Sequence, residues 1–147
     1  MGAVFTHLMA VDGNDHTVIL FPMQNEAGIL GTERCYCANC TRLFEGGEWR
    51  KRYAERANEA FSANCIARYM DCLTESVKKV YPLPVYINCW LSFKNSNHVP
   101  GKNYPSGGPV ERVLDVYRDA IQHIDFIAPD IYSHELGSFR YICGIHS

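Results

Sequence analysis

No stretch of this chain stays apolar for the ~20 residues that a membrane span needs, so no membrane partner is expected. Positive charge is also scarce. Fourteen Lys and Arg against sixteen Asp and Glu leave a formal net charge of −2. No basic stripe is available to neutralise phosphates, which argues against a nucleic-acid partner. The one basic cluster, Arg50, Lys51, Arg52 and Arg56, is interleaved with glutamates and reads as a solvated helix face. The N-terminus lacks a basic region followed by an apolar core, so no signal peptide is expected. A GxGxxG loop is missing after the first apolar run, which removes the usual mark of a dinucleotide fold.

What is present is a globular composition. The chain has 147 residues, 47% hydrophobic and 20% charged, enough for one domain with a real core. Seven cysteines is an odd number, so at least one stays unpaired within the chain.

Hydrophobic periodicity orders the elements. Val4, Phe5, Leu8, Met9 and Val11 form a short helical stripe, broken by DGNDH at 12–16. Val18 to Met23 is a continuous apolar run of strand length, expected to be buried on both faces as in a parallel sheet. Residues 27–48 read as irregular. Trp49 to Val80 reads as one long helix whose buried face carries Ile66, Tyr69, Met70, Leu73, Val77 and Val80. YPLP ends it. VYINCWL at 85–91 is a second strand, followed by a long polar loop at 94–109. Val110, Val113, Leu114, Tyr117 and Ile121 mark a further helix, with Pro109 near its first turn. IDFIAPDIY at 124–132 is a third strand, and residues 133–147 show no clear period. Strands alternating with helices imply right-handed crossovers and a parallel sheet, an α/β fold. With no dinucleotide loop, the expected architecture is part of a TIM (β/α)8 barrel.

In such barrels the chemistry collects where strands end at their C-terminal side. The first strand here ends in Asn25 and Glu26, the second around Asn88, Trp90 and Lys94, the third in Asp130 and Tyr132. Each has an ordinary explanation alone: a carboxylate at a helix start, an amide on loop backbone, an Asp in a turn after proline. Matching positions on three successive strands favour a shared site. Amides and carboxylates grip sugar hydroxyls, and an aromatic stacks on the ring.

HTVILFPMQNEAGILG, YPLPVYINCWL and YPSGGPVERVLDVYRDAIQHIDFIAPDIY resemble the catalytic barrel of β-galactosidase-like glycoside hydrolases near families 35 and 42. These belong to the clan with Asn-Glu at the end of the fourth barrel strand. The resemblance implies that residues 1–132 are a partial catalytic barrel, about strands four to six, with 133–147 a divergent tail. It implies that Glu26 is the general acid/base and that Asn25 bonds the sugar 2-hydroxyl. Trp90 and Tyr132 would line the pocket, joined by Asn88 and Asp130. The implied partner is a β-galactoside, and no cofactor or metal is expected. A retaining glycosidase needs a second carboxylate about 5–5.5 Å from the first. In the resembled family it lies on strand seven, and Glu135 does not sit in a nucleophile context. The expectation is therefore an incomplete site without turnover, on a chain whose open sheet edges favour self-association.

Cys35, Cys37 and Cys40 form CYCANC, which contains one CxxC. Zinc commonly takes four Cys or His ligands. Cys65 and Cys72, two helical turns apart, are separated by about 10 Å along the axis, too far to chelate one ion jointly. A redox CxxC calls for a helix N-terminus, and none is expected here. The expectation is a loop with incidental thiols. Cys89 reads as a small core residue, and His16 and His98 as solvated.

Overall fold

β-branched and aromatic residues in VYINC build the central strand. The computed structural model describes residues 1–93 and 96–146. Its helices are α1 (Gly2–Asp12), α2 (Ala38–Glu45), α3 (Trp49–Tyr53), α4 (Ala57–Lys78), α5 (Leu114–Ala120) and α6 (Leu136–His146). Its strands are β1 (Phe21–Pro22), β2 (Val85–Cys89) and β3 (Phe126–Pro129). The strands pair in parallel in the order β1-β2-β3. Phe21 lies opposite Val85, and Tyr86 to Cys89 lie opposite Phe126 to Pro129. The fold is mixed α/β with a small parallel sheet and the alternating order expected.

All three strands are shorter than their apolar runs. Only Phe21 and Pro22 of the first run pair, and Ile19 is 72% exposed, so burial on both faces is corrected. The reason lies in alternation. On β2, Val85, Ile87 and Cys89 are buried while Tyr86 and Asn88 are only half-buried. One sheet face packs on helices. On the other, Tyr86 stacks on Phe126 with ring centroids 5.2 Å apart, and Phe126 remains exposed. Burying side chains such as Val85 and Ile87 contributes about 1.5–3 kcal/mol each.

The long helix expected from Trp49 to Val80 is broken. Ala54 has φ 48°, outside the helical region, and a 3-10 turn over Ala54–Arg56 separates α3 from α4. The expected buried face of α4 is met in part, with Met70 and Val77 buried and Ile66 and Leu73 packed against the core. Ala60, Ala63, Ala67, Met70, Thr74 and Val77 are buried, whereas Tyr69 is 63% exposed and Val80 is exposed. Small side chains let this helix approach its neighbours closely, so they share the inner face with the large apolar residues expected there. Buried Glu59 lies on α4 as well, held by the Tyr104 hydroxyl at 2.5 Å and Arg112 Nε at 3.2 Å.

Two regions read as aperiodic are partly helical. Residues 27–48 contain α2, with Phe44 buried. The segment after Tyr132 contains α6, which buries Ile142.

The polar loop, described over residues 96–109, packs on the segment after β1. Ile29 and Ser106 exchange backbone hydrogen bonds of 2.8 and 2.9 Å. Gly107, in PSGGP, has φ +84°, and a Cβ there would lie 2.7 Å from Ser62 Cβ on α4. Only glycine fits that position without displacement.

Candidate functional site

Three parallel strands in chain order bring their C-terminal ends to one edge. The residues expected there come together, with Asn88 as their hub. Its Oδ1 accepts the backbone N–H of Glu26 at 2.9 Å. Its Nδ2 donates to Asn25 Oδ1 and to Asp130 Oδ2, both at 2.8 Å. A single carboxamide thus links the ends of all three strands.

Glu26 sits at φ 43°, in the left-handed region that costs a non-glycine residue roughly 1–2 kcal/mol. Such strain marks positions whose conformation the surroundings impose. Here the Asn88 bond holds the backbone. Burial pushes the Glu26 carboxyl above its ordinary range, and a hydrogen bond with Asp130 and that residue's charge push the same way. A protonated carboxyl is the form a general acid needs.

Glu26, Trp90, Leu91, Asp130 and Tyr132 line a cavity of about 180 Å³. That is smaller than the clefts of several hundred Å³ that enclose drug-sized ligands, and suits one ring at a rim. Trp90 is 46% and Tyr132 84% exposed, so both present aromatic faces to solvent. Leu91 is a lining residue that strand-end reasoning missed, and its place beside Trp90 was the available signal. Lys94, also expected at this edge, lies outside the described residues. Glu135 is exposed beyond β3 and accepts from Ser138 Oγ at 3.4 Å. Beneath the rim, the Cys89 thiol is buried, as expected of a core residue. Burial, then the charges of Asp130 and Glu26, push it up to about 12. Neither His16 nor His98 stands alone: His16 Nδ1 lies 3.5 Å from the Tyr81 hydroxyl, and His98 Nδ1 lies 3.3 Å from Ser92 Oγ.

The second cluster departs from the incidental-loop expectation. Sγ atoms of Cys35, Cys37 and Cys40 all lie within 4.8 Å of one another, an arrangement able to hold a soft metal ion. Cys37 is the N-cap of α2, and its sulfur accepts the Cys40 backbone N–H at 3.5 Å. The CxxC therefore does open a helix. The Cys40 N–H, followed by the neighbouring thiols, lowers Cys37 to about 7, while hydrogen bonding to Cys37 raises Cys40 to about 12.

A larger cavity has a different character. About 480 Å³ in volume, it is lined by Arg56, Arg112, Asp115 and Arg118 among others. Its arginines are committed, Arg56 to Asp115 at 2.7 Å, Arg112 to buried Glu59 at 3.2 Å and Arg118 to the Ile145 carbonyl at 2.9 Å.

Compared with known proteins, the chain matches no family model, and no curated protein sequence is significantly similar to it.

Proposed function

We propose that this chain carries the acid/base side of a β-galactoside hydrolase site, on a segment equivalent to strands four to six of a (β/α)8 barrel. The carrying observation is the Asn88 hub, which joins Asn25, the Glu26 backbone and Asp130 beside a cavity lined by Trp90 and Tyr132. In this reading Trp90 stacks on the sugar ring and Asn25 bonds a hydroxyl, while Asn88, whose donors are taken by Asn25 and Asp130, holds the rim in place. In a complete barrel of this kind Glu26 would deliver a proton to the glycosidic oxygen while a second carboxylate attacked the anomeric carbon. The reading assigns no nucleophile to this chain, so the chain binds a galactoside without turning it over.

Titration of the 147-residue chain with an aryl β-galactoside tests this by NMR. The expected result is a shift of the Trp90 indole signal, lost in Trp90→Ala, with no release of the aryl alcohol. An unchanged spectrum at millimolar sugar refutes the sugar-site reading. Turnover abolished by Glu26→Ala refutes the missing nucleophile and makes Asp130 the first residue to examine.

A second reading rests on the thiol cluster, in which Cys35, Cys37 and Cys40 hold zinc, with water as the fourth ligand. It is compatible with the first, because the two clusters share no residue. Elemental analysis of chain purified without chelator tests it. About one zinc per chain, lost in Cys37→Ser, supports the module, and metal-free chain refutes it.

A further inference from the structure

The segment leading into α2 gathers three thiols without joining them. The Sγ atoms of Cys35, Cys37 and Cys40 lie within 4.8 Å of one another, and no disulfide links them. Their backbone is pinned from both sides. The buried Arg34 guanidinium packs over the rings of Tyr36 and Phe44, 4.0 and 4.3 Å from their centroids, and its Nη1 donates to the Cys35 carbonyl at 2.9 Å. The Thr41 hydroxyl donates to the Tyr36 carbonyl at 3.3 Å, tying the first turn of α2 back to the loop.

Within the cluster the sulfurs are not equivalent. Cys37 is exposed, whereas Cys35 and Cys40 are half-buried. Cys37 caps α2, and its sulfur accepts the backbone N–H of Cys40 at 3.5 Å, a contact that favours a thiolate. Three residues of helix separate two Cα atoms by about 5 Å, inside the roughly 4.4–6.8 Å that a disulfide spans. The reachable sulfur is therefore the one placed to attack, with Cys40 next to it.

We propose that Cys37 and Cys40 form a thiol–disulfide exchange site for small-molecule disulfides, with Cys37 the nucleophile and Cys40 the resolving thiol. The Cys37 thiolate attacks one sulfur of the small disulfide. That S–S bond breaks, one thiolate leaves, and a mixed disulfide remains on Cys37. Cys40 gives its proton to solvent and attacks the Cys37 sulfur, which expels the second thiolate. Two electrons pass from the chain to the small disulfide, which ends as two thiols, and the chain keeps a Cys37–Cys40 bond. This activity goes beyond both readings above and needs neither sugar nor metal.

Glutathione disulfide is the probe. The whole chain, reduced and stripped of metal by a chelator, is mixed with it at neutral pH. Remaining thiols are alkylated at short times and the peptides mapped by mass spectrometry. Cys65 and Cys72 on α4 are the internal controls, because they are also exposed but belong to no such group of three among the described residues. The expected product is a Cys37–Cys40 bridge with two glutathione thiols released, while Cys65 and Cys72 stay alkylated. In the double variant Cys35→Ser, Cys40→Ser, a glutathione adduct should accumulate on Cys37, at least about fivefold faster than on Cys65 or Cys72. Cys65 or Cys72 reacting as fast as Cys37, or a Cys35–Cys37 bridge in the wild type, overturns the proposal. The wild-type map decides the question even if the double variant fails to fold. Metal is removed beforehand, so the zinc reading and this one fail separately.

Discussion

The backbone N–H of Glu26 donates to Oδ1 of Asn88 at 2.9 Å, joining the end of β1 to β2 across 62 residues of chain. That bond holds a glutamate in the left-handed region while its carboxyl faces the rim cavity. Asn88→Ala removes it together with the bonds to Asn25 and Asp130. The site is only half-buried, so the loss should be about 1–2 kcal/mol, read as a lower urea midpoint. Asn88→Asp should cost more, because it turns the donor facing Asp130 into a second negative charge. A midpoint unchanged in both variants would show that the hub is not structural.

Gly107→Ala should destabilise the chain by at least about 2 kcal/mol. Left-handed backbone costs a non-glycine residue roughly 1–2 kcal/mol, and overpacking typically adds 1–3. The new methyl would meet Ser62 Cβ at 2.7 Å and Ile66 Cδ1 at 3.0 Å. Gly2→Ala is the control, because Gly2 lies in α1 with nothing near its Cβ position. There alanine should be neutral or slightly stabilising, since Gly2 is the first residue of the helix. Thermal or urea unfolding of both variants checks the contrast.

Stability should fall in acid through Asp71. Burial pushes this carboxyl up, but the His123 ring at 2.8 Å and the N–H groups of His123, Gln122 and Ile124 outweigh it. They hold the group below its ordinary 3.8. Between the two values the unfolded chain binds more protons than the folded one. The Asp71 contribution is therefore full above 3.8 and lost as pH drops through the lower folded value. Glu26 has the opposite sign. Its raised carboxyl binds protons preferentially in the folded chain, so its contribution declines as pH rises from 4.5. Urea midpoints of wild type and Asp71→Asn should differ most at neutral pH and converge in strong acid. A constant gap would remove Asp71 from the acid response.

Self-association is the fourth expectation. Ile19, Leu20, Leu30 and Phe126 are exposed, and β1 and β3 each have one edge without a strand partner among the described residues. Unpaired strand edges recruit other strands. Sedimentation of the chain over a concentration series should show growing mass, reduced by Ile19→Lys. A strictly monomeric chain at all concentrations would count against it.

Local chemistry carried much of this outcome. Alternating strands and helices determined a parallel α/β sheet, because a crossover helix returns the chain in the same direction. With the strands parallel, the residues after each one share an edge, which made Asn25, Glu26, Asn88, Trp90, Asp130 and Tyr132 legible as a group. Tertiary structure decided the rest. Side-chain period reports strand faces but not how many residues pair, so β1 shrank to Phe21 and Pro22. Large-residue spacing found Met70 and Val77 on the α4 face, with Ile66 and Leu73 packed beside them, but missed Ala60, Ala63 and Ala67, which close packing selects. Cysteine spacing hid the convergence of Cys35 with Cys37 and Cys40, which depends on α2 beginning at Ala38. The hub role of Asn88 was also invisible beforehand. Hydrogen bonds to residues 63 and 42 positions away exist only once three strands lie side by side.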